Sequence, residues 1–319
     1  MSQARKLRAA VVGVGYLGRI HAEKYAAEPD VELIAVVDTD RERAREVAAR
    51  LGCRAFAEAR ELHGLVDCAS VAVPTPLHRA IGVELLGAGI DVLVVKPIAA
   101  TLEEARELVR SADANRRILQ VGHLERFNPA IRELAGILTE ARFLECHRLA
   151  PFVERGTDVD VVLDLMIHDL DVILSIIRSP VASIEAVGVP VITSQPDIAN
   201  ARIRFENGAI ANVTASRVSL KRERKLRIFQ ADTYISLDYG EKQIRICRRG
   251  EAPPGGLAPI EVEERAVEAG DALADEIRAF LEAVASRRPP LVSGSEGLSA
   301  MELAYRILAK LEEELRRSR

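Results

Sequence analysis

Along the first 122 residues, apolar positions come as short β-branched runs separated by longer stretches in which they recur at helical spacing. The runs at 8–12, 31–38, 69–73, 91–95 and 118–121 read as strands, and the segments 17–27, 41–51 and 78–88 as helices. A further helix between the last two strands opens at Thr101, with Glu104 three residues on, the spacing of a capping box. Strands alternating with helices in short units predict right-handed crossovers and a doubly wound parallel sheet, complete by about residue 122 with a sixth strand that no apolar run marks. After it, strand-like runs follow one another directly, at 143–149, 183–191, 199–205, 209–219, 225–230, 233–237 and 243–248. Consecutive strands predict an open, mostly antiparallel sheet, and Asn207-Gly208 marks a hairpin within it. A Pro/Gly-rich loop at 253–259 precedes two closing helices at 271–286 and 296–316. The expected fold is thus α/β over residues 1–122, a Rossmann-type domain, and α+β over 123–319.

Composition narrows the function classes without changing that architecture. The chain has 319 residues, 48% of them apolar and 29% charged, with a net charge of −4, so bulk attraction to nucleic acid or an anionic membrane is not expected. Aromatics are 4% and Trp is absent, which leaves little for stacking single strands or lining a membrane interface. Cys53, Cys68, Cys146 and Cys247 lie far apart with no CxxC pair, and they read as reduced thiols rather than metal ligands. The short apolar run at 9–14 breaks at glycines and reads as a strand, and no run reaches the roughly 18 apolar residues of a membrane span. A cytoplasmic protein is expected.

Four segments carry candidate chemistry. GVGYLG lies between the first strand and first helix, and Asp38 ends the next strand twenty residues after Gly18. Gly13 permits the tight turn, Gly15 lets backbone N–H groups approach a pyrophosphate, and Gly18 lets helix and sheet pack closely; Val14, Tyr16 and Leu17 lie between them, and Asp38 can accept the ribose hydroxyls. With no cation at Thr39 or Asp40, this spacing favours NAD over NADP, Arg41 being the nearby counter-argument. VAVPTPLH, 71–78, follows a central strand where ligands of such sheets collect, and Pro74, Thr75 and His78 are candidate cofactor contacts, His78 reading equally as a helix N-terminal structural residue. VVKP places Lys96 at the end of an apolar strand, either as a lysine snorkelling to the surface or as an ammonium that polarises a substrate hydroxyl. In the helix read at 160–177, Asp160, Asp164, His168, Asp171 and Ser175 form one polar stripe, either a solvated face or a site in which Asp164 orients His168 as a general base.

Taken in order, these pieces resemble the glucose-fructose oxidoreductase, inositol dehydrogenase and rhizopine-catabolism (Gfo/Idh/MocA) family over essentially the whole chain. The resemblance implies an NAD-dependent sugar dehydrogenase and assigns the family's EKP lysine and DxGxHxxD helix to Lys96, Asp164, His168 and Asp171. Two positions depart from the family pattern: Val95 stands where a Glu is usual, and Met166 stands where a Gly is usual and would narrow the pocket. The closing stretch 287–307, RRPPLVSGSEGLSAMELAYRI, is similar to the family segment whose helix returns to the first domain. GHLERFNPA, 122–130, resembles the branch of the family that oxidises the 3-hydroxyl of UDP-N-acetylglucosamine, with His123 toward the cofactor and Arg126 and Asn128 toward substrate. Read on their own, Arg126 and Asn128 equally suit capping of a helix ahead of Pro129. The cationic hairpin at Lys221, Arg222 and Arg224 reads as a solvated turn or as a partner for a diphosphate. Alternatives are a free polyol such as an inositol as substrate, or a non-catalytic NAD-binding regulator. An open sheet of this kind predicts a homodimer or homotetramer.

Overall fold

A computed structural model of the chain describes residues 5–153, 160–252, 257–267 and 270–317; the first part of the loop read at 253–259 lies outside them. The chain forms two compact units, Met1–Phe127 with Asp271–Ser299, and Asn128–Gly270 with Ala300–Arg319. The division therefore follows contacts rather than chain order, and residues 271–299, read from sequence as part of the second domain, belong to the first.

The first unit is built on strands β1 (Leu7–Val12), β2 (Val31–Val37), β3 (Arg54–Phe56), β4 (Cys68–Val71), β5 (Asp91–Val95) and β6 (Leu119–Gly122). They lie in the order β3-β2-β1-β4-β5-β6, and every pairing is parallel. Helices α1 (Tyr16–Ala27), α2 (Arg41–Leu51), α3 (His78–Gly87) and α4 (Leu102–Asn115) make the crossovers. α4 starts on the expected capping box: Thr101 Oγ1 accepts the Glu104 N–H at 3.2 Å, and the Glu104 carboxylate accepts the Thr101 N–H. The sixth strand is β3, three residues with no buried side chain, too short and too exposed to stand out as an apolar run. One face of the sheet is covered by α1 and by the returning helix Ala272–Ser286. Ile277, Phe280 and Val284 of that helix share a core with Ala9, Val11, Tyr25 and Leu93.

The second unit carries an eight-stranded sheet of β7 (Phe143–Leu149), β8 (Val181–Val189), β9 (Ile198–Phe205), β10 (Ile210–Ser216), β11 (Glu223–Phe229), β12 (Thr233–Asp238), β13 (Gln243–Arg249) and β14 (Ile260–Ala266). The order is β14-β13-β12-β11-β7-β10-β9-β8, antiparallel except where β7 and β10 pair in parallel. The Asn207-Gly208 turn joins β9 to β10, with Gly208 at φ +87°. On β7 the alternation buries Leu144, Cys146 and Arg148, and the helix Ile167–Ile176 packs on that face. Leu303, Ala304, Ile307 and Leu311 of the C-terminal helix Gly294–Arg317 complete this core. Among the described residues no helix is long and apolar enough to cross a membrane.

Candidate active site

Sheet order puts the topological switch point between β1 and β4, so the loops after these strands form one crevice at the carboxyl edge. Here each glycine of the first motif does a distinct job. Gly13 has φ +83°, and a Cβ on it would lie 2.6 Å from Ala72 O; a Cβ on Gly18 would lie 1.7 Å from Gly13 O. These two positions close the turn and seat the helix. A Cβ on Gly15 would meet nothing within 4 Å, so that face of the loop is open above the N-terminus of α1. Asp38 is fixed before any ligand arrives: Oδ2 accepts the Val14 N–H at 2.9 Å and Oδ1 the Asp40 N–H at 2.9 Å. An open N–H cradle beside a pinned carboxylate fits the pyrophosphate and ribose of a dinucleotide. Tyr16, Leu17, Thr39 and Pro74 are exposed along the same edge, and Thr75 is half-buried in the turn Thr75–Leu77.

Beside this cradle, His78 is buried, with Nδ1 2.9 Å from Pro97 O and Nε2 2.9 Å from Val73 O. Its ring ties the loop bearing Thr75 to the segment that follows Lys96, the structural half of the two roles open to it. Lys96 is half-buried at the end of β5. His123, one residue beyond β6, is fully buried; burial, with Arg126 and Lys96 adding their charges, pushes its pKa down to about 3, so the ring is neutral. Its Nδ1 has no hydrogen-bond partner among the described residues, a buried polar atom suited to a ligand amide. Arg126, expected toward substrate, is engaged within its own unit. Its guanidinium donates to Leu291 O at 3.1 Å and to Glu296 Oε1 at 3.3 Å, with 9% of the side chain exposed. It anchors the segment entering the C-terminal helix. Asn128 likewise caps the helix Pro129–Glu133, its Oδ1 accepting the Ala130 N–H at 3.0 Å.

In the second unit, the segment read as one helix from 160 to 177 begins instead as a π-helical stretch, Val162–Met166, and becomes α-helical at Ile167–Ile176. Asp160 Oδ1 accepts the N–H groups of Val162 and Leu163 at its start. Asp164 lies inside the π stretch and His168 just beyond it, and such widened turns recur at functional sites. The polar stripe is not a solvated face: Asp160, Asp164, His168 and Ser175 are half-buried and Asp171 is buried. Met166, at the family's glycine position, is fully buried in the unit's hydrophobic core.

Asp169, which falls off the polar stripe, is a structural residue that the sequence reading missed. Its carboxylate takes two parallel hydrogen bonds from Arg148, Nε to Oδ2 and Nη2 to Oδ1, both 2.8 Å, with each side chain 4% exposed. The signal was present in β7, where residue 148 shares the inward face of Leu144 and Cys146. A charge at such a position requires a buried partner. The hairpin cations Lys221, Arg222 and Arg224 are exposed in and beside the connection from β10 to β11.

Comparison with known proteins agrees with this architecture. Residues 7–123 match the oxidoreductase family, NAD-binding Rossmann fold, of the Gfo/Idh/MocA group, and residues 137–235 match a Gfo/Idh/MocA C-terminal domain. The chain is 40% identical over 313 residues to the UDP-N-acetylglucosamine 3-dehydrogenase of Acidithiobacillus ferrooxidans, covering 98% of this chain and 99% of that one. A solved structure of that enzyme superposes with a TM-score of 0.90 at 38% identity, covering 97% of this chain and 98% of the other. The myo-inositol 2-dehydrogenase of Thermotoga maritima is 25% identical over 96% of this chain and 97% of its own. With a glycine cradle and pinned carboxylate in the first unit, an open mixed sheet in the second, and a full-length relative at this identity, the chain belongs to the Gfo/Idh/MocA family of NAD-binding oxidoreductases.

Proposed function

We propose that the protein oxidises the 3-hydroxyl of a UDP-linked amino sugar, UDP-N-acetylglucosamine, in the cytoplasm. The observation that carries this reading is the 40% identity to a UDP-N-acetylglucosamine 3-dehydrogenase over 98% of the chain. Bound NAD supplies the hydride acceptor. In this reading His168 takes the proton of the sugar hydroxyl, Asp164 orients the imidazole, and Lys96 stabilises the negative charge developing on the oxygen. His123, neutral and with an unpartnered Nδ1, orients the cofactor amide. Because Arg126 is tied to Glu296, the diphosphate is assigned to exposed cations of the second unit, Lys221 and Arg222.

Incubation of enzyme and NAD with UDP-N-acetylglucosamine, free N-acetylglucosamine or myo-inositol tests the assignment, read as NADH formation and as the two-dalton mass loss of the sugar. The UDP-sugar should turn over fastest, because binding energy from the remote nucleotide positions the reacting hydroxyl. Faster oxidation of inositol would replace this reading with a polyol dehydrogenase. No turnover of any sugar by NAD-bound protein would replace it with a regulator.

A further inference from the structure

The charged groups around Asp38 extend past the carboxylate itself. Asp38 Oδ2 lies 3.4 Å from Arg43 Nη1, and Arg43 Nη2 lies 2.9 Å from Asp40 Oδ2. Asp38 is nearly buried while the Arg43 side chain is 47% exposed, so the guanidinium reaches over the carboxylate from solvent. Arg43 also borders the open cavity formed by Val14, Gly15, Tyr16 and Arg19 along the glycine loop. Arg41, the cation that sequence raises as the counter-argument to NAD, lines a separate cavity with Arg45, Ala55 and Phe56.

These positions bear on how one site distinguishes two cofactors that differ by a single phosphate. At the end of the second strand, an acid accepts the adenosine ribose hydroxyls and repels a 2′-phosphate, whereas a nearby arginine accommodates that phosphate. This chain carries both groups within contact of each other. While Asp38 is present, Arg43 is matched by two carboxylates and the phosphate meets a fixed negative charge. Without the Asp38 charge, a half-exposed guanidinium is left beside the 2′ position, able to turn its planar donor fork onto phosphate oxygens at little desolvation cost.

We propose that Arg43, rather than Arg41, is the latent 2′-phosphate partner of this site, so that the Asp38–Arg43 pair sets the discrimination between NAD and NADP. Cofactor discrimination at Asp38 and Arg43 is independent of which sugar is oxidised.

Calorimetric titration with NAD and NADP, in the absence of any sugar, reads it directly. The unmodified protein should bind NAD at least about tenfold tighter than NADP. Asp38→Asn removes the charge and keeps an amide oxygen that can accept the Val14 or Asp40 N–H; its preference should invert in favour of NADP. In that background Arg43→Ala should weaken NADP at least about tenfold and NAD by less than about threefold, whereas Arg41→Ala should leave the inverted preference in place. Equal NADP affinity in Asp38→Asn with and without Arg43, or loss of the inversion on removing Arg41 instead, overturns the proposal. If the Asp38 variant does not fold, Arg43→Ala in the native background decides the matter: the exposed side chain can be truncated safely, and the ratio of NADP to NAD dissociation constants should rise. An unchanged ratio overturns the proposal there too.

Discussion

Arg148 and Asp169 offer a sharp test of what a buried charge pair does beneath the helix that carries His168. Replacing Arg148 by Met strands a carboxylate that is 4% exposed and loses both of its 2.8 Å hydrogen bonds. Breaking such a pair from one side costs about 3–5 kcal/mol, because the remaining charge stays buried without compensation. At roughly 2–4 °C per kcal/mol for a cooperative unit the size of the second one, its melting temperature should fall by about 10 °C. Asp169→Leu removes the same two bonds from the other side and should also destabilise the protein. The double variant Arg148→Met/Asp169→Leu has no charge to strand, and its side chains join an apolar face that already holds Leu144, Cys146 and Leu170. It should melt within about 1 kcal/mol of the original, giving a coupling energy of at least about 3 kcal/mol between the two positions. Differential scanning calorimetry of the four proteins closes this cycle. A double variant as unstable as the sum of the single ones would refute the reasoning, since it would mean the residues act separately.

Three further outcomes are expected. Gly15→Ala should fold normally, its Cβ meeting nothing, yet weaken NAD by at least about tenfold, whereas Gly18→Ala should destabilise the fold itself through a 1.7 Å clash with Gly13 O; calorimetry and titration separate the two. His168→Ala should lower turnover about 10²- to 10⁴-fold with NAD affinity changed less than about twofold, and near-normal turnover with chemistry rate-limiting would remove the residue from catalysis. Burial raises Glu276 from 4.5 to about 8, so between those values the folded state holds a proton that the unfolded state has released. That contribution is full below pH 4.5 and is lost as pH rises toward 8, and Glu276→Gln should flatten the decline, gaining on the order of 4 kcal/mol at pH 8 as an upper bound. Urea titrations at pH 5, 6.5 and 8 measure it.

The parallel half of the fold was open to reading because its strands are buried on both faces and its turns carry glycine and capping signals at fixed offsets. β3 and β14 escaped for opposite reasons. The first is three residues long, and the second, Ile260–Ala266, is an edge strand rich in Glu and Arg whose polarity hides its pairing with β13. The glycine turn was equally legible, since the close approaches at Gly13 and Gly18 and the place of Asp38 at the end of β2 follow from spacing. Arg126 was not, because its partner Glu296 lies 170 residues away, and no local pattern distinguishes a cation facing a ligand from one facing a distant carboxylate. The π-helical start at Val162 was hidden too, because a widened turn leaves the four-residue recurrence of polar positions intact.

The return of residues 271–299 to the first unit has a consequence for biogenesis. When Phe127 leaves the ribosome, all six strands of the nucleotide-binding sheet exist, and α1 and α2 cover part of one face, but the part awaiting Ile277, Phe280 and Val284 is still open. Nearly the whole second unit must be translated before that helix emerges, a delay of roughly ten to thirty seconds at cellular elongation rates. The second unit is in effect an insertion within the first, and the nascent sheet waits with its core exposed through the interval. Synthesis of this enzyme therefore depends on keeping an unfinished nucleotide-binding sheet from associating with others of its kind, a burden that a chain with the two units in tandem would not carry.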